Sequence, residues 1–134
     1  MPAHLNHFKV VLRCANMQRS REFYTNVLGF VVQQAWTEDE GRGCILALDD
    51  TQTSAGFELY EMNRAERRFQ EAFTRPLEND KIDLQLRTDS LDRWIVRLSG
   101  VWPFSGPEVL SWGQRWIKLR DPDNLLIAIY EEIK

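Results

Sequence analysis

The stretch that decides the fold is RWIKLRDPDNLLIAIYE, Arg115–Glu131. Two runs of alternating apolar and polar residues flank Asp121-Pro122-Asp123-Asn124. Alternation with period two marks a half-buried strand, because successive side chains leave opposite faces of the pleat. Pro122 pre-sets φ for the first corner of a turn, and Asn124 tolerates the left-handed position that closes it. The stretch therefore predicts a β-hairpin. Its second strand ends Ile127-Ala128-Ile129-Tyr130-Glu131, nearly the pattern of Phe57-Glu58-Leu59-Tyr60-Glu61. One copy carries a carboxylate where the other carries a methyl group.

Working outward, the same order of elements occurs twice. Phe8–Cys14 alternates as a strand, Asn16 caps a helix with an apolar stripe of Phe23, Tyr24, Val27 and Leu28, and Gly29 ends it. Strands follow at Phe30–Trp36, Cys44–Leu48 and Gly56–Glu61, with a turn at Glu40-Gly41. A connector, residues 63–80, contains a short helix at Arg64–Phe73. Then Ile82–Thr88 alternates, and Ser90 or Asp89 caps a helix with Leu91, Trp94, Ile95 and Leu98 at i, i+3, i+4 and i+7, which Gly100 ends. Val101–Leu110 is a strand broken by Pro103 and Pro107, which marks an edge or a bend. Trp112-Gly113 turns into the final hairpin. Lys9–Arg13 aligns with Asp83–Arg87, and Glu58 with Ala128, at nearly equal offsets, so the chain reads as a duplicated unit.

Composition bounds the function. The 134 residues suit one compact domain built of two half-domains, 43% hydrophobic content can fill a core, and a net charge of −3 speaks against nucleic acid. Met1–Lys9 has no long apolar run and nothing approaches membrane-spanning length, so neither secretion nor insertion is expected. Cys14 and Cys44 lie in apolar runs without zinc-like spacing, as small buried thiols in a reducing cytoplasm.

The strand faces sort into two sets. Val10, Leu12, Phe57, Leu59, Ile82, Leu84, Leu86, Ile117, Leu119, Ile127 and Ile129 form apolar faces for the helices to cover. The opposite faces carry Lys9, Arg13, Glu58, Tyr60, Asp83, Gln85, Arg87, Trp116, Lys118 and Tyr130. These residues either meet solvent or, on a curled sheet, line a polar cavity for a small ligand.

Leu12–Asn16, Arg19–Tyr24 and Val27–Phe30, closed by Asp121-Pro122-Asp123-Asn124, resemble the signatures of the glyoxalase/bleomycin resistance/extradiol dioxygenase group, the vicinal oxygen chelate superfamily. The resemblance implies an α+β fold: two βαβββ modules, about 5–62 and 81–134, whose curled mixed sheet surrounds a central cavity with helices outside. In metal-using members each module gives one ligand near the start of its first strand and one on its last. Those places fall on Lys9, Glu58, Asp83 and Ala128. Protonated Lys cannot ligate a cation and Ala has no donor, so no metal is expected. In the sharper reading the Lys9 ammonium takes the metal's place between Glu58 and Asp83; in the plainer one all three are rim charges. Arg13 matches a residue that helps to bind an anionic thiol in glutathione-dependent members, and Trp116 could stack on a planar ligand.

The leading expectation is a protein that binds or sequesters a small anionic or planar organic ligand without a cofactor. The alternative is a lyase, isomerase or dioxygenase using a divalent metal such as Zn, Ni, Fe or Mn on His7, Glu58 and Asp83. A metal-free enzyme would use Glu58 or Asp83 as a general base, with Lys9 or Arg13 stabilising an enolate. Apolar stretches at Phe30–Trp36 and Val101–Leu110 predict a homodimer.

Overall fold

The computed structural model describes residues 3–51, 56–62 and 75–133. The chain divides into two units, Met1–Arg75 and Pro76–Lys134. The first contains β1 (Val11–Arg13), α1 (Met17–Glu22) running into a wider π-helical turn at Phe23–Val27, β2 (Val31–Glu38), β3 (Gly41–Ala47) and β4 (Gly56–Met62). The second contains β5 (Asp83–Arg87), α2 (Leu91–Leu98), β6 (Phe104–Leu110), β7 (Gln114–Arg120) and β8 (Leu126–Glu132).

Each unit is a βαβββ module with its own open, mixed four-stranded sheet. The strand orders are β1-β4-β3-β2 and β5-β8-β7-β6, the same path twice. In both, the first strand runs parallel to the last, and every other pairing is antiparallel. The registers also match: Val11 sits beside Glu58 as Gln85 sits beside Ala128. That equivalence supports the duplication read from the sequence, including the Glu58–Ala128 difference.

The helices begin where their caps dictate. Asn16 accepts a hydrogen bond from the Arg19 amide, and Ser90 from the Arg93 amide, each satisfying a donor that the first turn leaves open. Gly29 and Gly100 leave the helical region at φ 82° and 77°. In the first unit Tyr24, fully buried, meets Phe23, Phe30 and Phe57 edge-on at centroid distances of 5.0, 5.7 and 5.0 Å. In the second, α2 packs on β7 and β8, and Leu91, Leu98, Ile117, Ile127 and Ile129 are closed to solvent. Each such side chain contributes about 1.5–3 kcal/mol by leaving water.

The opening hairpin forms as read. Asp121 Oδ1 accepts from the amides of Asp123 and Leu125, both at 2.8 Å, and Asn124 adopts φ 69°. The turn also holds the preceding linker: Asn124 Nδ2 donates to the Leu77 carbonyl, and the Leu77 amide to the Asp123 carbonyl.

Several sequence expectations need correction. The first strand covers Val11–Arg13 instead of Phe8–Cys14. It is an edge strand, and its pairing with β4 begins with Val11 beside Glu58. Ile82 lies just outside β5 and is 52% exposed, so it is not part of the apolar face. Trp94 is only half-buried, with the Arg97 guanidinium 4.9 Å above its ring. The Val101–Leu110 strand starts at Phe104, since Pro103 cannot join a ladder, and Gly106-Pro107 sits in a bulge between Ser105 and Glu108. The expected Arg64–Phe73 helix lies outside the described residues.

Candidate functional site

In the first unit the register gathers Lys9, Arg13, Glu58 and Tyr60 on the face away from α1. Glu58 is 8% exposed, and Lys9 Nζ donates to its Oε1 at 2.9 Å. A nearly buried carboxylate without this partner would keep its desolvation cost uncompensated. Lys9 itself is half-exposed, its stem reaching in from the chain that precedes β1. We therefore expect Lys9→Met to destabilise the protein by about 1 kcal/mol at neutral pH, read from urea unfolding. Unchanged stability would show that the Glu58 carboxylate needs no cation.

Alongside that pair, Trp36, Gly43 and Tyr60 lie in one cross-strand row. A Cβ on Gly43 would come within 2.5 Å of the Trp36 indole, so the ring rests directly on the glycine. The Tyr60 hydroxyl donates to Glu38 at 3.3 Å, and burial together with the Glu38, Glu40 and Glu58 carboxylates pushes its pKa up. Sequence reasoning missed Trp36 as a member of this face. The available signal was a large aromatic across a hairpin from a glycine.

In the second unit, Asp83, Gln85, Arg87, Trp116, Lys118 and Tyr130 share the equivalent face, as their registers require. Gln85 Nε2 donates to Asp83 Oδ2 at 3.2 Å. Ala128 lies between Gln85 and Lys118 and is fully buried. The Lys118 ammonium stands 4.5 Å above the Trp116 ring, whose Nε1 donates to Glu108 at 3.3 Å. Trp112 meets Trp116 edge-on at 5.9 Å and is 63% exposed. This arrangement offers an aromatic surface, an ammonium and an amide side by side. Glu108 and Trp112 were not among the expected site residues. They come from the bulged strand and the adjoining turn, where periodicity assigns no face.

A second pair of carboxylates plays a different part. Glu61 accepts from the first amide of α1, at Met17, and Glu131 accepts from the first amide of α2, at Leu91, 2.9 Å away. Arg42 pairs with Glu61 at 3.3 Å. Arg115 binds Glu131 through Nε at 2.9 Å and Nη2 at 2.6 Å, and also reaches Asp92. The Leu91 amide leads, with Arg115, in drawing the Glu131 carboxyl below its ordinary pKa. Both carboxylates answer the positive end of a helix. They are structural clamps, repeated by the duplication.

His7 is exposed and precedes the first strand, so no pleat places it in step with Lys9. Of the four places that the family resemblance implies for ligands, Ala128 has no donor atom and the Lys9 ammonium is bonded to Glu58, which leaves the carboxylates of Glu58 and Asp83.

A family model described as Glyoxalase/Bleomycin resistance protein/Dioxygenase superfamily matches residues 4–129. The chain belongs to that superfamily. No curated protein matches the sequence. Among solved structures of similar fold is TnmS3, an antibiotic binding protein from Streptomyces sp. CB03234, at 19% identity and TM-score 0.69, covering 98% of this chain and 99% of that one. The trypanothione-dependent glyoxalase I of Leishmania major aligns at 19% identity and TM-score 0.67, covering 96% and 88%. The fosfomycin resistance protein FosX of Listeria monocytogenes aligns at 11% identity and TM-score 0.68, covering 98% and 95%. At these identities the superfamily likeness speaks for the fold. The chemistry has to be argued from this chain's own side chains.

Proposed function

We propose that this superfamily member binds and sequesters a small anionic or planar organic molecule without using a metal. The observation that carries the reading is the Lys9–Glu58 ion pair at a position where metal-using relatives place a ligand. A cation supplied by the chain satisfies the carboxylate that a metal would otherwise need. The Trp116–Lys118 surface supplies the ligand's partners: an indole face for a planar ring, and an ammonium for a carboxylate. Arg13, Gln85, Arg87 and Tyr130 extend these polar faces, and Glu58 and Asp83 are the bases available should the protein prove catalytic. The antibiotic-binding role of TnmS3 agrees with a binding function on this fold.

Elemental analysis of the purified protein, combined with thermal melts in Zn, Ni, Fe and Mn salts, tests the reading. Absence of stoichiometric metal and no metal-dependent rise in melting temperature are expected; bound metal with a raised melting temperature would overturn it. Trp116→Ala should abolish indole fluorescence quenching by planar aromatic carboxylates.

A homodimer is part of the same proposal. Leu5 and Phe8, which precede the edge strand β1, are 98% and 87% exposed, and Val109 in β6 and Trp112 just after it are exposed as well. Apolar side chains next to an unpaired sheet edge favour a second copy. Sedimentation at micromolar concentration decides it, since a single 15.8 kDa species would exclude the dimer. No helix among the described residues is long and apolar enough to cross a membrane. Cys14 and Cys44 are buried and not joined in a disulfide, which suits the reducing cytoplasm.

A further inference from the structure

The side of the first unit that carries α1 has a cleft of its own. It lies between α1 with its π-helical turn and the β2–β3 hairpin, and is an open cleft of about 660 Å³. That volume is in the range of small-molecule sites. Gln18, Arg21, Glu22 and Thr25 line it at i, i+3, i+4 and i+7, a spacing that normally delivers apolar side chains to a sheet. Across from them are Ala35, Thr37 and Arg42. The small Ala35 side chain leaves the space that a larger strand residue would fill.

The duplication gives an internal comparison. Asn16 and Ser90 cap equivalent helices, so Arg21 corresponds to Ile95, which is half-buried. The first module thus lines its cleft with a guanidinium where the second places an isoleucine. Arg21 makes no ion pair among the described residues, whereas the neighbouring Glu22 carboxylate is held by Gln18 at 3.3 Å. Its charge is nevertheless felt inside the fold: it lowers the pKa of the buried Cys44 thiol, against the larger upward push of burial. Arg42 differs from its counterpart Arg115 in the same direction. Its bonds to Glu61, at 3.3 and 3.4 Å, are longer than those of Arg115 to Glu131, at 2.6 and 2.9 Å.

We propose that this cleft is a second small-molecule site, which takes a ligand bearing a carboxylate or phosphate group on the Arg21 guanidinium. Arg42 adds positive charge, and Gln18 and Thr37 supply donors for the ligand's remaining oxygens. A planar fork of donors matches both oxyanions, so the two are separated by experiment. The site is distinct from the Trp116–Lys118 face and does not depend on it.

Amide-resolved NMR titration at low ionic strength, with inorganic phosphate in one arm and citrate in the other, tests the proposal. At least one anion should bind saturably and shift the amides of Gln18, Thr25 and Thr37, and the arm that binds identifies the oxyanion. Arg21→Ile, which copies the second module, should weaken that binding about tenfold or more. Thr25→Trp, which fills the cleft and keeps the arginine, should do the same, while Trp116→Ala should leave it unchanged. Absence of binding in both arms, shifts confined to β5–β8, or equal affinity in a folded Arg21→Ile protein would overturn it. Failure of aromatic carboxylates at the Trp116 face would count against the primary reading alone.

Discussion

Asp121→Ala is expected to lower stability by about 2–3 kcal/mol, because one oxygen serves two backbone donors of the last hairpin. Asp121 is 7% exposed, and Leu125, one of the two donors' residues, is 4% exposed. Water therefore has little access to replace the lost acceptor, and each unpaired amide retains its desolvation cost. The loss should spread to the Leu77 linker, which is bonded to Asp123 and Asn124. Asp121→Asn keeps an acceptor oxygen in place and should recover more than half of the effect. Urea unfolding measures both variants. An alanine protein within about 0.5 kcal/mol of wild type would show that the turn is held by Pro122 and Asn124 alone.

Glu131→Gln is expected to cost about 1–2 kcal/mol at neutral pH, since the amide still accepts from Leu91 but loses its charge against Arg115 and the helix end. The pH dependence follows from the direction of the Glu131 shift. Its folded pKa lies below the ordinary 4.5, so the stabilisation is fully present above that value and disappears as pH falls through the lowered one. Wild type and Glu131→Gln should consequently differ at neutral pH and converge in acid. Denaturant midpoints across that range test it, and a difference that persists unchanged into strong acid would rule out a charge-based clamp. Arg115→Met should reproduce part of the neutral-pH loss, because Arg115 would no longer face Glu131 and Asp92.

The repeated clamp also separates two kinds of resemblance between the modules. Tyr60-Glu61 and Tyr130-Glu131 are alike because each helix start needs a carboxylate beneath it. Glu58 and Ala128 differ: at that register the first module carries a carboxylate, which Lys9 neutralises, and the second a fully buried methyl group.

Local chemistry made much of this legible from the sequence. Period-two alternation located β7 and β8, Asn16 and Ser90 marked the helix starts, and Gly29 and Gly100 their ends, because each acts on the backbone within a few residues. The Asp121–Asn124 turn was likewise written in its own residue types. The family resemblance, carried by motifs spread along the chain, was legible as well, and a family model matches residues 4–129.

What the tertiary structure decided rests on contacts that no local pattern encodes. Glu61 meets Met17 across 44 residues and Glu131 meets Leu91 across 40, so their clamping role appears only once the sheets are paired. The extent of β1 follows from its pairing with β4, which begins with Val11 beside Glu58 and is a property of register. Along α1 the spacing of Gln18, Arg21, Glu22 and Thr25 reads as an ordinary solvated face. Only the packing of the helix on the sheet, beside the β2–β3 hairpin, turns that face toward a cleft, because a polar stripe states its composition but not what stands opposite it.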